Sequence, residues 1–164
     1  MKGFNETVPA GLNHMASPII TTMKPDDVAL LVDWAAGEGW NPGLHDAAAF
    51  HATDPAGFLG AFVDDQLFAG IAAIAYGQDY GFIGLYISRP GQRGKGYGKM
   101  VWDAGMKRLQ GRVVGLDAQF ENYRRKGFEP AYRTVRYGGR PVLQAQTAAA
   151  ALVPVSPGLR PALI

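Results

Sequence analysis

The sequence predicts an α/β fold in a single domain, with elements in the order β-α-α-β-β-β-α-β-α-β. Three observations carry this reading. Short β-branched and aromatic runs are bounded by glycine and aspartate turns, as strands are. Other stretches repeat apolar residues at helical spacing. The 164 residues are 48% hydrophobic and 18% charged, enough apolar surface for one core.

Residues 1–17 read as a flexible lead. Pro18 to Met23 is the first strand candidate. Pro25 suits the first turn of a helix, and Asp26 and Asp27 suit its positive N-terminus. Val28, Leu31, Val32 and Ala35 then recur on one face until Gly37 and Gly39 stop the helix. Glu38 to Gly43 has strong turn chemistry, and about Asp46 to Thr53 forms a second short helix. Phe58 to Val63 and Leu67 to Tyr76 read as a hairpin turned by Asp64 and Asp65. A third strand, Tyr80 to Ile87, follows Gly77-Gln78-Asp79. A helix over about Gly94 to Leu109, a short strand over Arg112 to Leu116, and a helix over about Gln119 to Lys126 come next. Gly127 stands where glycine favours the end of a helix. Glu129 to Tyr137 alternates as a last strand would, and Gly138-Gly139 turns into Pro141-Val142-Leu143. The domain is expected over 18–143, with 144–164 as an alanine- and proline-rich linker or tail.

The chemistry concentrates between the strand ending at Ile87 and the helix that follows. Arg93-Gly94-Lys95-Gly96-Tyr97-Gly98 is a glycine-rich turn at a helix N-terminus. Such a turn aims backbone N–H groups and the positive helix end at an anion, and glycine lets the anion approach. Arg93, Lys95 and Lys99 add full charges, so the turn reads as a phosphate or pyrophosphate pocket. A P-loop is excluded, because Tyr97 follows Gly96 where lysine is required. A dinucleotide fingerprint is excluded, because Lys99 stands where its last glycine belongs.

Charge is uneven around this point. Residues 1–87 hold two basic and ten acidic side chains, a net of −8; residues 88–140 hold thirteen and four, a net of +9. A basic half suits a polyanionic ligand. Nucleic acid is the other polyanion to weigh, but no aromatic-basic RNA motif or helix-turn-helix pattern is present, and none is expected as a partner. The chain has no cysteine, which excludes disulfides, thiolate zinc sites and a cysteine nucleophile. His14, His45 and His51 show no ligand spacing, so no metal is expected. No apolar run approaches the ~20 residues that span a bilayer, and no secretory signal pattern opens the chain. A cytoplasmic protein with no membrane partner is expected.

Arg93-x-x-Gly96-x-Gly98, between a strand and a helix, resembles the acyl-CoA signature of the GNAT acetyltransferase superfamily. Tyr123-Arg124-Arg125-Lys126-Gly127-Phe128 is similar to that superfamily's Tyr-x-x-x-Gly-Phe segment, and the element order over 18–143 is similar too. Trp34-Ala35-Ala36 and the loop Glu38 to Gly43 further resemble a bacterial subfamily that carries an additional C-terminal domain; this sequence stops where such a domain would begin, so a truncated form is an expectation. There are departures. Many members have an asparagine and an alanine upstream of the tyrosine, where this chain has Leu116 and Gln119; Asn122 sits beside Tyr123 instead. The connection from Asp117 to Tyr123 is also short for that subfamily.

The resemblance implies a mixed, mostly antiparallel central sheet flanked by about four helices. It implies acetyl transfer from acetyl-CoA, without a metal, to a primary amine of a small molecule or peptide. Gly94, Lys95, Gly96, Tyr97 and Gly98, with Arg93, would hold the pyrophosphate, and Leu85, Tyr86 and Ile87 the pantetheine arm. Asn122 joins this cofactor set, and Tyr123 would be the general acid for the leaving thiolate. Glu38, Trp40 and Asn41 are the acceptor-side candidates, although buried aromatics are the norm and favour Trp40 as a core plug. Phe82 and Tyr86 could add an aromatic wall. Glu38, Asp79, Asp117, His45 and His51 are base candidates by chemistry alone, since 80–87 contains no carboxylate. A homodimer is left open. The alternative from a different class is a non-catalytic acyl-CoA-binding or sensor domain.

Overall fold

A computed structural model describes residues 17–135 and 137–140. Its elements are β1 Ile19–Thr22, α1 Pro25–Gly37, α2 Asp46–Thr53, a 3-10 turn Pro55–Gly57, β2 Phe58–Val63, β3 Gln66–Tyr76, β4 Tyr80–Ser88, α3 Tyr97–Arg108, β5 Val113–Leu116 and α4 Phe120–Arg124. The strands form one mixed sheet in the order β1-β2-β3-β4-β5. All neighbours pair antiparallel except β4 and β5, which run parallel. The expected architecture is therefore present, a mostly antiparallel sheet with four helices.

Local chemistry explains the boundaries. Pro25 opens α1, and the Lys24 backbone N–H donates to the Asp27 carboxylate at 2.9 Å. Val28, Leu31, Val32 and Ala35 are its buried face, as their spacing predicts. Asp64 and Asp65 both take positive φ (48° and 61°), the backbone that matches a two-residue hairpin to strand twist. Gly70 allows α1 to approach the sheet, since a Cβ there would meet Leu31 Cδ1 at 2.7 Å.

Two cores lie on the two faces of the sheet. Phe58, Leu67, Ala72, Ile74 and Ile87 pack with Val28, Leu31 and Ala35 of α1. Ala61, Ala69, Ile71, Ala73 and Ile83 pack with Val101, Trp102 and Leu109 of the α3 segment. Complete burial of side chains such as Leu31, Ile71 and Leu109 contributes about 1.5–3 kcal/mol each.

Among the described residues the expected last strand is not formed. Residues 129–135 and 137 have no helix or strand. The physical reason is exposure: Tyr132, Val135 and Tyr137 are all solvent-exposed, so alternation there buries no face. The chain separates after Pro130 into two units, 1–130 and 131–164, and every element above belongs to the first. The expected lead, apart from Ser17, and Pro141-Val142-Leu143 and the expected tail 144–164 lie outside the described residues.

Candidate active site

The site begins with an irregularity in β4. Gly70 pairs with Ile87 and Ala72 with Gly84, so β4 carries one residue more than β3 over this stretch. That is a β-bulge, and Leu85 takes a left-handed φ of 45° within it. A leucine there costs about 1–2 kcal/mol. The bulge reverses the alternation. Ile83 packs on the α3 face, whereas Leu85 and Ile87 pack on the α1 face and Tyr86 turns to the α3 face.

β4 then outruns its parallel neighbour. Pairing with β5 ends at Ile83↔Leu116, while β4 continues to Ser88. Among the described residues β4 has no strand on its β5 side beyond that point, and an extended ligand could align with the bulged backbone there.

The glycine-rich turn follows directly. Gly91, Gly94 and Gly96 have positive φ (79°, 78° and 90°), and an added Cβ at any of them would enter open space. Gly96 is the residue before α3, and no side chain caps the helix. The first helical bond is donated by Met100 to the Gly96 carbonyl at 3.1 Å. Among the described residues, the N–H groups of Tyr97, Gly98 and Lys99 find no acceptor, which suits them to an anion. Gly98 differs from its neighbours. A Cβ there would meet Ser88 Oγ at 2.9 Å and Tyr86 Oη at 3.1 Å, so this glycine gives clearance to two β4 side chains. The Tyr97 ring packs edge-on against Phe68 at 5.1 Å, which directs its side chain into packing and leaves its N–H to the cradle.

Of the basic groups, Lys95 donates to Gln92 at 2.8 Å, Lys99 pairs with Asp103, and Arg93 pairs with Glu38. The last contact joins the glycine-rich turn to the loop after α1. Trp40 in that loop is 46% exposed, which overturns the core reading of this side chain. Asn41 is exposed, with φ 53°.

Tyr123 lies in α4, half-buried, with its ring centroid 5.6 Å from Trp102 and 6.1 Å from Phe128. Tyr86 lies 5.4 Å from the same Trp102, and the Lys126 ammonium stands 4.5 Å over it. Among the described residues neither tyrosine hydroxyl is hydrogen-bonded. Burial raises the Tyr123 phenol above its ordinary value of 10.0. Tyr86 is raised by burial first, then by Tyr123 and Asp103. Burial thus favours the neutral form of both phenols.

The other nominated residues are dispersed. Asn122 is exposed on α4. Asp79 and Asp117 are exposed, His45 precedes α2, and the His51 ring lies 6.2 Å from Phe58. Phe82 is partly buried and precedes the bulge. Trp102 was not among the sequence candidates. Its signal was a buried aromatic on the face of α3 that also holds Val101 and Gly105.

The bulged strand and the uncapped glycine turn after it give a mixed α/β fold with an anion-type cradle at a helix N-terminus. The acetyltransferase (GNAT) family model matches residues 26–128, and the chain belongs to that family of acyltransferase enzymes. It is 37% identical over 125 residues to the holothin acyltransferase of Pseudoalteromonas sp. (strain SANK 73390). That match covers 72% of this chain and 42% of the relative, so the chain spans less than half of that protein's length. Ard1 from Thermoplasma volcanium has a similar fold (TM-score 0.59, 20% identity, covering 70% of this chain and 84% of that one). So does Rv2747 from Mycobacterium tuberculosis, solved in complex with CoA and NLQ (TM-score 0.55, 19% identity, 71% and 75% covered). A Clostridium acetobutylicum protein solved with acetyl-CoA gives a TM-score of 0.55 at 18% identity, with 74% and 96% covered.

Proposed function

We propose that this chain is an N-acetyltransferase that moves an acetyl group from acetyl-CoA to a primary amine of a small molecule or peptide. The observation that carries this reading is the uncapped N-terminus of α3, with glycines at positive φ before it and Arg93 beside it. The residues fit the donor. Open space at Gly94 and Gly96 leaves room for a pyrophosphate, and the N–H groups of Tyr97, Gly98 and Lys99 supply its hydrogen bonds. The bulged backbone at Leu85 to Ile87 offers amide groups for a pantetheine arm and an N–H for the oxyanion.

In the reaction, the neutral amine nitrogen attacks the thioester carbonyl carbon. Collapse breaks the carbon–sulfur bond, and the departing thiolate takes the phenolic proton of Tyr123. Burial, by keeping that phenol neutral, supports its role as an acid. The new amide loses its extra proton to water or to a nearby base. With no carboxylate on β4, a water chain is the reading we favour for that step. The setting is cytoplasmic, and among the described residues no helix is long and apolar enough to cross a membrane.

The test is a thermal-shift titration with acetyl-CoA, with dephospho-CoA and ATP as comparisons. A ligand that binds only the folded state raises the melting temperature by mass action. A saturable rise with acetyl-CoA and none with ATP is expected, followed by thiol release in an amine screen. No shift with any of the three overturns the reading. Binding without thiol release from any amine favours a non-catalytic acyl-CoA-binding domain.

A further inference from the structure

Arg93 and Glu38 are 55 positions apart in sequence, yet their side chains form an ion pair. Arg93 belongs to the phosphate turn. Glu38 ends α1 and begins the loop that carries Trp40 and Asn41. Both side chains are partly in water, at 57% and 32% exposure. A pair so exposed adds little to folding stability.

Backbone bonds anchor the chain just beside each partner of the pair. The end of α1 is closed by backbone bonds, from Glu38 N–H to the Trp34 carbonyl at 3.0 Å and from Trp40 N–H to the Ala35 carbonyl at 3.1 Å. The entry to the phosphate turn, just before Arg93, is held by Arg89 N–H to the Phe68 carbonyl at 2.8 Å and Gln92 N–H to the Arg89 carbonyl at 2.9 Å. The contact therefore joins two segments that are each anchored next to it by backbone bonds. It also satisfies Arg93 with a single negative charge beside the uncapped end of α3.

A diphosphate carries more charge than a carboxylate and binds an arginine in the same bidentate way. One guanidinium engaged with it cannot hold Glu38 in full, and the carboxylate is then repelled by the newcomer. We propose that Glu38 is the resident counter-ion of the donor site. The donor's pyrophosphate displaces it from Arg93, and donor binding thereby releases a carboxylate into the loop on the acceptor side. This rests on the acetyl-CoA reading above and extends it to a coupling between the two sites, which must be reciprocal.

The experiment is calorimetric titration of the full chain with acetyl-CoA at low and high salt. Glu38→Gln is expected to bind roughly three- to tenfold tighter than wild type at low salt, because an exposed competitor and its repulsion are removed. The advantage shrinks as salt rises. In an Arg93→Gln background the same change is expected to have little effect, because the contact through which Glu38 acts is gone. Melting temperatures report folding, and Glu38→Asp, which keeps the charge on a shorter arm, serves if Glu38→Gln does not fold. Its expected affinity lies between the two. Unchanged or weaker affinity in a folded Glu38 variant overturns this proposal alone. A wild-type chain that binds no acetyl-CoA overturns both it and the acetyltransferase reading.

Discussion

Tyr123 of α4 rests on Trp102 of α3, ring centroids 5.6 Å apart, and this contact sets where the phenol stands. α4 has no fully buried residue of its own, so a ring contact across helices does the positioning. Trp102→Ala is expected to destabilise the fold by about 3–5 kcal/mol, the usual cost of deleting a buried large aromatic. Trp102→Phe keeps part of the contact and is the better probe. It should lower turnover more than it weakens acetyl-CoA binding, measured by steady-state kinetics and calorimetry side by side.

Tyr123→Phe removes only the hydroxyl. Loss of a positioned acid costs about 10²–10⁴ in rate. The expected result is a fall in turnover of that order with acetyl-CoA affinity retained. Unchanged turnover would show that the proton comes from elsewhere, and Tyr86, on the same Trp102, is the first residue to examine.

The pH dependence follows from the direction of the Tyr123 shift. Burial raises the folded pKa above 10.0, so the acid form persists through that value. The alkaline limb of the rate profile that reports this acid is expected above pH 10, and absent in Tyr123→Phe. Stability has the same sign. The contribution is complete below the unfolded pKa and is lost as pH rises through the folded one, because the unfolded chain releases its proton first. Tyr86 acts in the same direction. Denaturant midpoints from pH 8 upward check this, with the decline expected only from about pH 10, the ordinary range of tyrosine.

Two glycines of the phosphate turn should fail differently. Gly96→Val places a β-branched residue at φ 90° and a side chain where the anion must approach. Acetyl-CoA binding is expected to disappear. Gly98→Ala meets Ser88 Oγ and Tyr86 Oη instead, so its first effect should be on β4 packing and melting temperature. In Gly98→Ala, replacing Tyr86 by Phe should recover part of the loss.

Arg108 and Asp54 form a clasp far from the site. Arg108 donates to Asp54 and to the Ala73 carbonyl at 3.0 Å, and to the Ala56 carbonyl at 3.1 Å, while Asp54 also accepts from the Ala75 N–H at 2.9 Å. Both side chains are largely buried. Removing one partner leaves the other unsatisfied, so Asp54→Ala is expected to cost about 2–4 kcal/mol, measured by denaturant unfolding. Acetyl-CoA affinity of the folded fraction should be unchanged.

The sequence by itself determined the local parts. Proline and aspartates started α1, paired aspartates turned the β2–β3 hairpin, and glycine spacing marked the glycine-rich turn before α3, because each effect acts within a few residues. Only the tertiary structure decided which faces met. Strict alternation along 80–87 would put Tyr86 opposite Ile83 and Ile87, and the bulge at Leu85 breaks that parity. The same alternation predicted a strand at 129–137 that the described residues of that stretch do not form, because pattern without a surface to bury supplies no driving force. Trp102 beneath Tyr123, and Glu38 on Arg93, join residues far apart in the chain. Periodicity reports a residue's neighbours along its own element, whereas these contacts depend on where whole elements dock.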